Sequence, residues 1–325
     1  MITEKPLPAW LDEYIFGVLG AEEKPDPKEF CKNLDADDEK NRIYLGTYFP
    51  RSFSESFCIH SNLFGFDPYR THIERKESLS ILSVGCGTGG DILGLICAIA
   101  GNLPNIKKLK IVAFDGNSIA IDYLSGLLDL PPIKKRFSIA DNEIKFVPLP
   151  VTCVEDLTHY IGRMGDGFDF ITSFKFVNEL MEARILKQDG FRVLAGLLAP
   201  KLNDTGLLTI LDVTDKHYGE WQSRNLNSGL CAFSKSNDDY RTLLPIPCHF
   251  YDRECYGGRC FTNKRFFGSF TADDKVVYRV IGKTGFVDAL YKRMRDDVSY
   301  ARNVDNECCP RHEGQNVVDA FDIFS

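Results

Sequence analysis

The stretch "LSILSVGCGTGGDILGLICAIAG" runs from an apolar segment, through four glycines between positions 85 and 90, into a long apolar helical pattern. No other part of this 325-residue chain restricts the fold as much. A strand ending at Val84, a turn carrying Gly85, Gly87, Gly89 and Gly90, and a helix from Gly90 form one strand–turn–helix unit. Glycine permits positive φ and close backbone approach, and a helix N-terminus presents free N–H groups. Such an element suits an anion or a nucleotide. Gly85-x-Gly87-x-x-Gly90 is the dinucleotide-binding spacing, Gly85-x-Gly87-x-Gly89 is a second glycine motif, and a turn with no ligand is a third reading. Spacing alone leaves the first two open.

Around this unit the chain alternates between strand and helix patterns. Strand-length apolar runs occur at Leu79–Val84, Lys110–Phe114, Ile144–Leu149, Phe168–Phe174 and Leu207–Val213, with helical patterns such as Asp91–Ala100 and Ser118–Leu128 between them. That order predicts an α/β fold with a mostly parallel sheet, right-handed crossovers and both faces covered. "RFFGSF" and "KVVYRVIGKTG", joined by "TADD", predict a terminal antiparallel hairpin. Residues 1–77 read as a helical N-terminal segment or lid. In it Phe53, Phe57, Ile59 and Leu63 fit an amphipathic helix after Pro50. Residues 78–285 read as the core, 214–264 as a Cys-bearing insertion within it, and 286–325 as a C-terminal extension.

Composition narrows the class. At 44% hydrophobic and 26% charged the chain has ample material for a core. Its net charge of -7 gives no bulk footprint for nucleic acid, and the basic stretches "IKKLK", "IKKRF" and "NKRFF" are short. A local basic patch inside the acidic average remains compatible with that balance. No apolar run approaches the roughly 18 residues of a membrane helix, so no membrane partner is expected. The opening "MITEKPLPAWLDEYIFGVLG" carries acids and lacks the layout of a secretory or transit leader. Eleven cysteines, an odd number, suit reduced thiols and a cytoplasmic location.

Further along, "IVAFDGNS" places Asp115 at a strand tip, where a carboxylate can accept both hydroxyls of a ribose. The same "DGNS" is also good turn chemistry. "FDFITSFKFVNEL" and "GLLTILDV" then supply a fourth and a fifth strand. In this order of motifs the chain resembles the class I S-adenosylmethionine-dependent methyltransferases over roughly residues 78–285. The resemblance implies a Rossmann-like, mostly parallel seven-stranded sheet. It also implies S-adenosyl-L-methionine held by Gly85, Cys86, Gly87 and Gly89, with Asp115, Gly116 and Asn117 at the ribose. Glu155 and Asp156 stand as adenine-side candidates or helix caps, and Ser173 sits at the tip of the fourth strand.

Methyl transfer needs an aligned nucleophile more than a general base. Lys175, Asn178 and Glu179 are polar in an otherwise apolar run, and Glu179 could orient a substrate or act as base. Alternatively, Asn178 and Glu179 are the first turn of a helix, favoured by its dipole. No Asn-Pro-Pro-Tyr-type signature follows the fourth strand, which disfavours the amino groups of bases as acceptors.

"PCHFYDRECYGGRCF" gathers Cys248, His249, Cys255 and Cys260, and "NECCPRH" adds Cys308, Cys309 and His312. Three thiolates from one loop and one from the tail make a four-ligand set, at intervals that match no standard zinc finger. Together with "YFPRSFSE" and "SFKFVNEL", this loop is similar to that of the methyltransferase-like assembly factors of the small ribosomal subunit. That resemblance implies an iron–sulfur cluster, or zinc, on Cys248, Cys255, Cys260 and Cys308 or Cys309, with Cys309 preferred. Scattered unligated thiols are the alternative.

Three functions follow. The favoured one is a methyltransferase acting on a small molecule or protein under an aromatic lid. Tyr48, Phe49, Phe53, Phe57, Phe250, Tyr251 and Tyr256 are candidates for that lid or are plain core. By analogy, Tyr48, Arg51 or Ser52 would touch the methionine end of the cofactor. The second is an RNA-directed methyltransferase or ribosome assembly factor, and the third an NAD-dependent oxidoreductase.

Overall fold

A computed structural model describes residues 2, 4–24, 36–139, 144–214, 216–217, 219–244, 263–266 and 274–296. Packing divides the chain into two units, one within residues 2–152 and the other within 153–264 and 275 onward.

In the first unit α1 (Ala9–Asp12) continues into a π-helical turn at Glu13–Val18. Then come α2 (Asp38–Thr47), α3 (Phe49–Phe64), α4 (Asp67–Ile73), β1 (Ser78–Val84), α5 (Gly90–Asn102), β2 (Lys108–Asp115), α6 (Ser118–Leu128), α7 (Pro131–Arg136) and β3 (Ile144–Pro148). Local chemistry sets several boundaries. The Asp37 carboxylate accepts from Lys40 N–H and opens α2, Pro50 sits in the first turn of α3, and Asn117 caps α6. β1 pairs in parallel with β2 from Ser78↔Lys108 to Val84↔Phe114, and β2 with β3 from Ile111↔Ile144 to Asp115↔Pro148.

Helix α3 departs from the amphipathic expectation. Phe53, Ile59 and Leu63 are buried as the pattern requires, but so are Ser54, Glu55, Ser56 and His60. The cause lies on α5. A Cβ on Gly90 would stand 2.6 Å from the Phe49 carbonyl oxygen, and one on Gly94 2.4 Å from that of Phe53. Missing side chains on α5 let α3 press backbone against backbone, so its polar face is enclosed too. That seam is hydrogen-bonded. Ser56 Oγ donates to the Asp91 carbonyl at 2.6 Å, and Ser83 Oγ donates to Asp91 Oδ2 at 2.6 Å. His60 Nδ1 lies 2.7 Å from the Ser56 carbonyl, which makes Nδ1 the protonated nitrogen. Burial lowers the pKa of this imidazole to about 4.

The second unit contains α8 (Val154–Gly162), β4 (Phe168–Phe174), α9 (Phe176–Glu182), α10 (Gly190–Leu198) and β5 (Leu202–Val213). A short ribbon of β6 (Lys216–His217) and β7 (Glu220–Trp221) leads into α11 (Gln222–Ser236). β8 (Tyr240–Leu244), β9 (Asn263–Phe266), β10 (Asp274–Lys283) and α12 (Thr284–Asp296) follow. β4 is buried along its whole length, as a central parallel strand should be, and pairs in parallel with β5. β10 runs antiparallel to β5, from Val276↔Val213 to Gly282↔Leu207, and β8 runs antiparallel to the other side of β10. In the first unit the strands lie in the order β3-β2-β1, and in the second in the order β4-β5-β10-β8, with β9 paired to β10. The α/β class, mostly parallel sheet and antiparallel end are those expected.

The stretch read as a polar insertion supplies α11 and β8. Its helical period is masked because Gln222, Ser223, Asn225 and Asn227 are polar yet buried. Asn227 accepts from the guanidinium of Arg279, a β10 residue only 1% exposed, which also donates to the Tyr278 carbonyl at 2.8 Å. Among the described residues no helix is long and apolar enough to cross a membrane.

Candidate cofactor site

The glycine turn joins β1 to α5 through three residues with positive φ: Gly85 at 70°, Gly87 at 48° and Gly89 at 86°. It is pinned by main-chain bonds. Gly85 and Cys86 N–H donate to the Phe114 carbonyl at 2.8 and 3.1 Å, and Gly89 N–H to the Cys86 carbonyl at 2.8 Å. A side chain at Gly89 would strike Leu124 Cδ1 at 2.3 Å, and one at Gly90 would strike α3. At Gly87 an added Cβ would meet nothing within 4 Å. Gly89 and Gly90 therefore serve the packing of the protein, while Gly87 leaves bare main chain facing open space.

Asp115, at the end of β2, faces this turn. Gly87 N–H donates to its Oδ2 at 2.7 Å and Asn117 N–H to its Oδ1 at 2.8 Å. Asp115 is 7% exposed. Burial pushes its pKa up, against the opposing pull of main-chain N–H groups from Asn117, Gly87 and Gly116. A carboxylate has about four acceptor positions, so main-chain bonds do not exhaust it. Asn117 has separate duties: its Oδ1 accepts from Ile119 and Ala120 N–H, and its Nδ2 donates to Asn41 Oδ1 at 3.2 Å. Asn41 Nδ2 in turn donates to the Ala36 and Asp37 carbonyls at 2.9 Å. Hydrogen bonds thus run from Gly87 through Asp115 and Asn117 to α2. Asn41 carries no signal in sequence beyond being a polar residue in a helical pattern. Cys86 is buried, and burial, then the charges of Asp115 and Asp91, hold its thiol well above the usual range. A buried thiol held in that state is a poor nucleophile.

At the same end of this unit, Ser52 Cβ lies 3.0 Å from the place a Gly90 Cβ would take. Tyr48 packs on Tyr44 with ring centroids 4.7 Å apart, and the Arg51 guanidinium lies 5.9 Å from the Tyr48 ring. All four side chains are half-buried.

In the second unit, Ser173 is 1% exposed and in register with Ile210, and its Oγ is buried without a hydrogen-bond partner. Lys175 links β4 to α9 in the left-handed conformation, φ 61° and ψ 11°, with its N–H bonded to the Leu211 carbonyl at 2.7 Å. A lysine held there is uncommon, and such outliers cluster at functional sites. Asn178 and Glu179 lie in the first turn of α9, where Asp212 Oδ2 accepts the Asn178 N–H at 2.9 Å. This is the helix-turn alternative raised for the pair. Asp212 is fully buried, and an acid at the end of an apolar strand was its one signal in sequence. Glu155 and Asp156 occupy the first turn of α8, Glu155 exposed and Asp156 half-buried.

Cys248, Cys255, Cys260, Cys308 and Cys309 lie outside the described residues. Among the described residues no group of three or more His, Cys, Asp or Glu side chains is placed to hold a metal ion.

No protein-family profile matches the chain, and no curated protein matches it. Several solved structures are distantly similar. A TehB-like SAM-dependent methyltransferase from Corynebacterium glutamicum is 15% identical over 66% of this chain and 86% of its own, with a TM-score of 0.32. Mitomycin 7-O-methyltransferase is 11% identical over 85% and 69%, at 0.42. The plantazolicin methyltransferase, solved in complex with SAH, is 12% identical over 84% and 99%, at 0.41.

Proposed function

We propose that the chain is an S-adenosylmethionine-dependent methyltransferase acting on a small molecule or protein. The observation that carries this reading is the pairing of Gly87 with Asp115: bare main chain beside open space, with a buried carboxylate turned toward it. These residues fit an adenosyl cofactor. Gly87 would leave room for it against the turn, and Asp115 would accept from its ribose hydroxyls. When bound, the cofactor supplies an electrophilic methyl group. The chain's part is to orient the acceptor and exclude water, and Lys175, Asn178 and Glu179 are the candidates for that work.

One observation favours this over a dinucleotide. In the second unit β10 lies antiparallel between β5 and β8, whereas a dinucleotide-binding sheet continues with parallel strands past the fifth.

Calorimetric titration with S-adenosylhomocysteine and with NADH tests the reading. The expected result is one-to-one binding of the first at micromolar affinity and none of the second. Binding of NADH alone would overturn it.

A further inference from the structure

One edge of this acidic chain is strongly basic. In sequence its cations fall in separate short runs, and in the first unit those runs meet. Ser138 N–H donates to the Lys107 carbonyl at 2.7 Å, and Ser138 forms a parallel bridge with Lys108. The Arg136 guanidinium donates to the Ile106 and Leu103 carbonyls at 2.6 and 2.9 Å, fastening α7 to the start of β2. Val112 pairs with Lys145, so strand alternation puts Lys108, Lys110 and Lys145 on one face of β2 and β3. Ser78 and Ser80 on β1, opposite Lys108 and Lys110, are half-exposed, so this face is open to solvent near the strand starts. Lys107, Lys134 and Lys135 stand exposed beside it. Among the described residues Asp129 lies 3.0 Å from Lys134 and the exposed Glu77 precedes Ser78, and in sequence Asp141 and Glu143 precede Lys145, so cations still outnumber acids here.

We infer that this edge docks the phosphodiester backbone of a nucleic acid. Lysine contacts phosphate as a point charge, and contacts to phosphate carry no sequence information, which suits sequence-independent docking. The exposed large apolar side chains among the described residues are Ile2, Val18, Leu149 and Trp221. None lies in the patch, since Leu149 sits at the other end of β3 beside Asp115. The edge therefore lacks the apolar anchor that a membrane surface or a protein hot spot requires. Lysines on an edge strand also guard against strand pairing. That accounts for Lys145 on β3 but not for Lys108 and Lys110 on the inner strand or for those of α7. The inference goes beyond the methyl-donor reading and does not depend on it, because Lys108 is about 23 Å from Asp115 along β2 at the usual rise per residue.

The test is fluorescence anisotropy with a labelled RNA of about 20 nucleotides, titrated between about 50 and 200 mM salt. Saturable binding is expected, with a log–log salt slope of about -3, as contact with four or so single-strand phosphates gives. The Lys108→Glu/Lys110→Glu/Lys145→Glu variant should bind at least tenfold more weakly with a flatter slope. Its S-adenosylhomocysteine affinity and circular dichroism should match wild type. A Lys→Gln triple variant, which adds no new charge repulsion, should show the same direction of change. Absence of saturable RNA binding, equal binding by wild type and both variants, or displacement of RNA by polyglutamate at equal charge would overturn the inference. Equal binding of a DNA probe would uphold docking through the backbone alone.

Discussion

The main-chain N–H of Gly87 donates to Oδ2 of Asp115 at 2.7 Å, fixing the tip of β2 to the turn after β1. The bond is charge-assisted and largely shielded from water, so it is stronger than a neutral one. Asp115→Asn removes the charge while keeping the shape. The expected outcome is a tenfold to hundredfold loss of S-adenosylhomocysteine affinity, about 1–3 kcal/mol, read by calorimetry. Unchanged affinity would remove Asp115 from the cofactor site.

Two glycines separate binding from folding. Gly87→Ala meets no protein atom but must hold a φ of 48°, a strain of about 1–2 kcal/mol, and it places a methyl group where the cofactor would lie. Gly94→Ala drives a Cβ to within 2.4 Å of the Phe53 carbonyl. Urea unfolding should show the larger loss for Gly94→Ala, about 1–3 kcal/mol, and calorimetry the larger loss of affinity for Gly87→Ala. A reversed order would contradict the division of labour assigned to the turn.

His60 makes stability depend on pH. Its pKa is about 4 in the folded chain against an ordinary 6.5, so between those values the unfolded chain binds the extra proton. Its contribution is fully present above pH 6.5 and is lost as pH falls toward 4, by on the order of 3 kcal/mol. Subtracting the urea-derived pH profile of His60→Gln from that of wild type should leave this slope. Parallel profiles would show that His60 does not titrate in that window.

Ser173 and Ser223 each bury a hydroxyl that has no partner in the structure. Removing an unpaired buried hydroxyl relieves a desolvation penalty of about 1 kcal/mol, so Ser223→Ala should raise the melting temperature. Ser173→Ala should do the same, read by thermal melting. A lower melting temperature for either variant would show that its hydroxyl is paired.

Much of the fold was legible because local rules and tertiary demand agree. Phe168, Phe170, Ile171 and Phe174 gave away a strand that is buried along its whole length, and Ser118–Leu128 was bounded by its own cap, Asn117. Legibility failed where burial is polar. α11 buries four amide and hydroxyl side chains and hides its period, and Asn41 and Asp212 act through partners remote in sequence. The lysine edge was invisible because its runs are joined by Ser138, Arg136 and the pairing of β2 with β3.

The fit of α3 against Gly90 and Gly94 has a consequence for how this protein can be divided. Trimming the chain back to β1 would uncover the Gly90–Gly94 track of α5 and abandon Asp91, whose main-chain oxygen takes the Ser56 hydroxyl. The leading helices are thus no detachable accessory. A chimera that grafts another protein's opening segment here would have to reproduce the Phe49 and Phe53 carbonyls and the Ser56 hydroxyl in place.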